Sequence, residues 1–223
     1  MSTRFERILF DLDGTIVIHD KVKQGFQIAE ILGLPQEYKE GFAKRLSSLF
    51  SHPFFAIEGK MTFERYLDIL NRTVCPKEIY GITGEDVFEA IETSVKKNSK
   101  LAENIIPTLD YLETKGYRLC VFTNGFYNLQ MGVLKHFKVL EYFQKLFTWD
   151  NFYPKSDKRA ILRALETNMP QDSVMIGDSL IDDMITQKQM GMYTIGYNIP
   201  KAEEYPKAID VNISNYNELR EIL

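Results

Sequence analysis

The chain has 223 residues, 44% of them hydrophobic and 26% charged, with a formal net charge of −4. That length holds one large domain or one domain with a sizeable insertion, and the composition is that of a globular protein. The mild acidity excludes a broad basic surface for nucleic acid; the longest apolar runs are far too short to span a membrane, and the charges within Met1–Phe10 are not those of a signal peptide. A cytoplasmic protein with no nucleic-acid or membrane partner is therefore expected. Cys75 and Cys120 sit in unrelated contexts, which argues against a disulfide framework; Cys120, inside "RLCVF", reads as a small core residue.

In chain order, "RILFDLDG" reads as a short buried strand closed by a turn. A helical block follows over 18–99, with helices expected at Val22–Leu32, Gln36–Phe50, Phe63–Val74 and Glu85–Lys97. Gly33 and Pro35 separate the first pair, Thr62 can cap the third, and Thr83 or Gly84 starts the fourth. Phe26, Phe42, Phe50, Phe63 and Tyr66 are expected to pack within this block. Phe54 and Phe55, in the irregular "SHPFFAIEGK", and His19, just after the first strand, are substrate-contact candidates weighed against plain packing.

From residue 100 the pattern alternates. Helices are expected at Pro107–Lys115, Asn128–Lys138, Ser156–Thr167, Ile181–Met190 and Tyr216–Leu223. Strands are expected at "YRLCVF", "KLFTWD", "SVMIG", "YTIGYN" and "AIDVNIS". Strands that alternate with helices make right-handed βαβ units and a parallel sheet covered on both faces. The expected architecture is an α/β, doubly wound core, 1–17 with 100–223, interrupted by an all-helical domain over 18–99.

In such sheets the ligand site lies beyond the carboxyl ends of the strands. Asp11 and Asp13 follow the first strand, and Thr123 and Asn124 follow "RLCVF". Lys155 lies in the loop after "KLFTWD", and Asp178 follows "VMIG" with Asp182 and Asp183 close behind. Clustered carboxylates repel unless a cation lies between them, and hard oxygen donors suit Mg²⁺. Lysine, hydroxyl and backbone N–H groups suit a phosphate. One of the two first carboxylates can act as nucleophile and the other as general acid and base, while Gly14 allows a tight turn and the Thr15 hydroxyl can brace it.

"DLDGT", "VFTNG", Lys155 of "YPKSDK" and "MIGDSLIDD" resemble, in order, the four signatures of the haloacid dehalogenase-like superfamily of aspartate-nucleophile hydrolases. The resemblance implies a Rossmann-like core with a type 1 helical cap. It makes Asp11 the nucleophile and Asp13 the general acid/base. Thr123, the Asn124 backbone and Lys155 become phosphate-binding groups, and Mg²⁺ is held by Asp11, Asp13 (through its carbonyl), Asp178 and Asp183. The third signature lacks its usual prolines, and Lys158 competes with Lys155 for the lysine role; register favours Lys155. Spacing in the fourth favours Asp183 over Asp182, which reads as a solvated helix-start charge.

"TNGF", "VLEYFQKLFTW" and "GMYTIGYN" look most like the nucleotidase-like branch, with the phosphoglycolate phosphatase-like branch beside it. A Mg²⁺-dependent phosphatase for a small phosphomonoester, such as a nucleoside 5'-monophosphate, is the function implied. A sugar phosphomutase of the β-phosphoglucomutase type, a phosphatase for a small acid or sugar phosphate such as phosphoglycolate, and a non-catalytic binding protein are the alternatives. Asp13 argues against a dehalogenase, whose reaction leaves no oxygen to protonate.

Overall fold

The alternation of Ile8 and Phe10 with Leu9 sends side chains to opposite faces of strand β1, Arg7–Phe10, and all three are fully buried. A strand buried on both faces is the signature of a parallel sheet beneath two helical layers. In the computed structural model, which describes residues 5–51, 61–77, 79, 81–151, 153–166 and 169–223, β1 pairs in parallel with β4, Arg118–Phe122, and with β6, Ser173–Gly177. The six-stranded sheet has the order β5-β4-β1-β6-β7-β8, with β5 at Lys145–Phe147, β7 at Tyr193–Tyr197 and β8 at Val211–Ile213. Every pairing is parallel. The chain runs outward from β1 through β4 to β5, then returns and runs the other way through β6, β7 and β8. The reversal lies at β1, where the doubly wound rule puts a ligand site.

One face of the sheet packs Leu9, Cys120, Phe122 and Met175 against Ala160, Ile161, Ala164 and Leu165 of helix α7, Lys158–Leu165. On the other face the Phe10 ring meets Phe143 edge-on at 6.1 Å and lies 6.5 Å from Tyr216. Each such large side chain contributes about 1.5–3 kcal/mol on burial.

The chain divides into two compact units, Met1–Ile18 with Leu101–Leu223, and His19–Lys100. The second unit is helical: α1 Lys21–Ile31, α2 Gln36–Ser51, α3 Phe63–Thr73 and α4 Gly84–Asn98. Thr62 Oγ1 caps α3 by accepting from Arg65 N at 3.2 Å, and Thr83 with Asp86 forms a reciprocal capping box on α4. Phe63 and Tyr66 pack edge-on against Phe88, and Phe42 is fully buried. Phe26 and Phe63, expected inside, are each 39% exposed; Phe63 is the first residue of α3. Short strands β2, Val17–Ile18, and β3, Lys100–Leu101, form a two-stranded sheet that the sequence pattern did not announce.

Several elements after residue 100 differ in extent from expectation. Helix α5 spans Ile105–Thr114 and α6 spans Tyr127–His136. Strand β5 ends at Phe147 because Asn151 Oδ1 takes the N–H of Thr148 and Gly125 O takes that of Trp149. Helix α7 starts at Lys158, not Ser156, because Asp157 turns back to Pro154 O and caps the helix by accepting from Arg159 N. The expected helix Ile181–Met190 is a π-helical turn, Leu180–Ile185, followed by a short α8, Thr186–Gln189. The last segment begins as a 3₁₀ turn, Tyr216–Glu218, before α9, Leu219–Ile222.

Candidate active site

The register of β1 with β4 and β6 brings the residues that follow these strands to one end of the sheet. Asp11 continues β1, its N–H still bonded to Ile176 O at 2.9 Å, and its carboxylate is buried. Oδ1 accepts from Lys155 Nζ at 2.5 Å and Oδ2 from the Thr15 hydroxyl at 3.3 Å. Thr15, expected to brace the turn, thus spends its hydroxyl on the Asp11 carboxylate; Tyr216 holds the turn instead, its hydroxyl donating to Thr15 O at 3.2 Å.

Lys155 is buried and bridges two acids, with Asp183 Oδ1 also at 2.5 Å from Nζ. Its backbone is pinned from both sides: its N–H donates to Asn124 Oδ1 at 2.9 Å and its carbonyl accepts from Gln187 Nε2 at 3.1 Å. Lys158 is exposed at the start of α7. Asp183 is fully buried, and its Oδ2 accepts from Ser179 N at 3.0 Å. The π-helical turn carries it inward, a wide turn of the kind found where a helix must re-aim one side chain. Asp182 stays half-buried; its carboxylate accepts from the Ser179 hydroxyl at 3.5 Å, its backbone N–H bonds that hydroxyl at 3.2 Å, and its carbonyl accepts from Gln187.

Asp178 follows β6, and oxygens of Asp11, Asp178 and Asp183 all lie within 4.8 Å of one another. Gly14 makes this approach feasible: it adopts φ +90, and a Cβ there would fall 2.2 Å from Asp178 Oδ2. Asp13 turns toward α6, where its Oδ2 accepts from Gln130 Nε2 at 2.7 Å. The Thr123 hydroxyl accepts from Gly125 N at 3.1 Å, and its own proton has no acceptor among the described residues. His19 opens the helical unit and is half-buried; Phe54 and Phe55 lie outside the described residues.

Burial dominates the electrostatics. It raises the Asp11 carboxyl well above the usual range; Lys155 opposes this, while Asp183, Asp178 and Asp13 add to it. Asp183 is raised for the same first reason, with Asp178 adding its repulsion against Lys155. For Lys155, burial works against the charged form, but Asp11 and Asp183 outweigh it and hold the ammonium protonated. Among the described residues, one ammonium meets a cluster of three carboxylates, two of them buried. That donor set suits a hard divalent cation.

Gln130, Gln187 and Tyr216 escaped the sequence reading. Gln187 lies four residues after Asp183, a spacing that can return a helical side chain to the same face. Amides and phenols carry no charge to flag them, and Gln130 and Tyr216 have no such spacing to a site residue on their own helix.

A parallel sheet with buried acids and a lysine at its carboxyl edge defines an α/β enzyme class. The sequence pattern of the Haloacid dehalogenase-like hydrolase family matches residues 8–197, and the chain belongs to that family. It is similar over nearly its whole length to a glyceraldehyde 3-phosphate phosphatase of Methanothermobacter thermautotrophicus, 26% identical over 97% of this chain and 98% of that protein. Among solved structures it resembles the HAD phosphatase of Thermococcus onnurineus, with 24% identity, a TM-score of 0.70 and coverage of 98% and 97% of the two chains. It also resembles the HAD-hydrolase YfnB of Bacillus subtilis bound to magnesium, with 21% identity, a TM-score of 0.71 and coverage of 99% of each chain.

Proposed function

We propose that this hydrolase is a Mg²⁺-dependent phosphomonoesterase that works through an aspartyl-phosphate. The observation that carries the reading is the buried Lys155 ammonium bridging Asp11 and Asp183 beside Asp178, with Asp13 two residues beyond Asp11.

Asp11 attacks phosphorus, and the bond to the leaving alkoxide breaks as Asp13 protonates that oxygen. Water then attacks the aspartyl-phosphate, giving its proton to Asp13, and inorganic phosphate departs as the carboxylate of Asp11 is restored. Lys155 keeps Asp11 aligned and offsets the charge that gathers on the phosphoryl oxygens. The Thr123 hydroxyl, with a proton to donate, and the Asn124 backbone bind the phosphate. Asp11, Asp178 and the Asp13 carbonyl would hold Mg²⁺, with Asp183 supporting them while it orients Lys155. The ion, when bound, neutralises phosphate charge. Asp13 separates this chemistry from dehalogenation, which needs no such proton.

The helical unit takes the role of the type 1 cap and selects the substrate. A nucleoside 5'-monophosphate is the substrate its scaffold resemblance suggests; a triose phosphate is favoured by the full-length likeness to a glyceraldehyde 3-phosphate phosphatase. Phosphate release from nucleoside monophosphates, glyceraldehyde 3-phosphate, phosphoglycolate and hexose phosphates, with Mg²⁺ and with EDTA, tests the reading. Metal-dependent release from one class supports it and names the class; no release from any, with isomerisation of a hexose phosphate, would replace it with a mutase.

A further inference from the structure

Gln130 lies on the first turn of α6 and is 2% exposed. Its Nε2 donates to Asp13 Oδ2 at 2.7 Å and faces Thr123 Oγ1 at 3.4 Å. A carboxylate oxygen only accepts, so the NH₂ end of the amide is the end that faces Asp13. The other end, Oε1, is buried with no hydrogen-bond partner. The amide is thus held where it serves Asp13 rather than where both of its own ends are satisfied. The neighbouring backbone is shaped around it: a Cβ at Gly125 would fall 1.7 Å from Gln130 Nε2 and 2.5 Å from its Cδ. No described residue bonds Asp13 Oδ1.

We propose that Gln130 is a positioning residue that engages Asp13 Oδ2 and so reserves Oδ1 for proton transfer. In the first half-reaction the proton leaves Oδ1 for the leaving oxygen as the ester P–O bond breaks. In the second, Oδ1 takes a proton from the attacking water as the bond between phosphorus and Asp11 breaks. An untethered carboxylate would rotate and present either oxygen at a range of angles, which weakens general acid–base catalysis. This inference rests on the function proposed above.

The test uses the leaving group. An aliphatic alkoxide needs a proton to depart; p-nitrophenolate does not. Gln130→Met keeps the side chain's length and removes the N–H. It is expected to lower kcat/KM for the best aliphatic phosphomonoester at least about tenfold, and that for p-nitrophenyl phosphate by less than about threefold. Gly125→Ala, which displaces the amide without removing it, is expected to repeat the pattern, and Asp13→Asn to exaggerate it. Equal losses with both substrates in the two folded variants, or no loss, would overturn the positioning role while leaving the phosphatase reading intact. A wild-type enzyme that releases phosphate from neither substrate would overturn the function and this inference together.

Discussion

The two ends of the central sheet carry clustered charge in opposite balance. At the carboxyl end Asp11 and Asp183 share the Lys155 ammonium beside Asp178, and burial raises Asp11 and Asp183. At the amino end two bases share one acid: Arg7, first residue of β1, and Lys145, first residue of β5, both bond Glu166 just past α7. Arg7, itself buried, also donates to Ala164 O. There the Lys145 and Arg7 bonds lower Glu166 to about 2. One sheet therefore keeps an acid-rich cluster where chemistry is done and a base-rich one where the layers are clamped. The lesson is that solvent separates a site from a staple: the Lys145 and Glu166 side chains stay 49% and 35% exposed, whereas Lys155, Asp11 and Asp183 are buried and must answer one another.

The largest break of this comparison is Asp11→Asn. Turnover is expected to fall by at least about 10⁴-fold, as for loss of a nucleophile. The melting temperature in EDTA is expected to hold or rise, because a buried carboxylate with a raised pKa becomes a neutral amide of the same shape. A parallel loss of fold, seen by circular dichroism, would contradict the contrast.

Lys155→Met comes next, expected to cost about 10²–10³ in kcat by removing a preorganised cation. It also leaves Asp11 and Asp183 without their shared partner, so stability should fall with activity in urea titrations.

At the other end, Arg7→Met is expected to cost about 1–3 kcal/mol of stability, since it removes the hydrogen bonds of Arg7 to Ala164 O and Glu166, with kcat unchanged. A matching loss of kcat would show that the two ends are coupled.

The smallest effect is in pH. Glu166, lowered from 4.5 to about 2 by Lys145 and then Arg7, contributes stability that is complete above pH 4.5 and lost as pH falls toward 2. Glu166→Gln is expected to flatten that part of the stability curve, read by denaturant unfolding at successive pH values. An unchanged slope would mean the clamp does not titrate.

Much of this was legible in sequence because it rests on local rules. The alternation of apolar strands with amphipathic helices specified a parallel α/β sheet, and the sheet has that form. The residues after each strand could be named in advance because the carboxyl edge of a doubly wound sheet is where chain ends converge. Helices α3 and α4 were readable from Thr62 and Thr83, whose hydroxyls cap them locally. The break of the expected helix Ile181–Met190 into a π-helical turn was not readable, because its cause, the burial of Asp183 against Lys155, lies 28 residues away in the chain.

The sequence by itself determined the class of fold, the order of strand and helix, and the set of acids and the lysine available at one edge. Those follow from side-chain periodicity and from what each residue type can do. The tertiary structure alone decided that a π-helical turn carries Asp183 to Lys155, that Asn124 and Gln187 pin Lys155 from either side, and that Gln130 reaches Asp13. It also decided that Arg7 and Lys145 converge on Glu166. Each of these is a contact between segments distant in the chain, set by strand register and helix packing, and no periodicity within one segment encodes which distant partner it will meet.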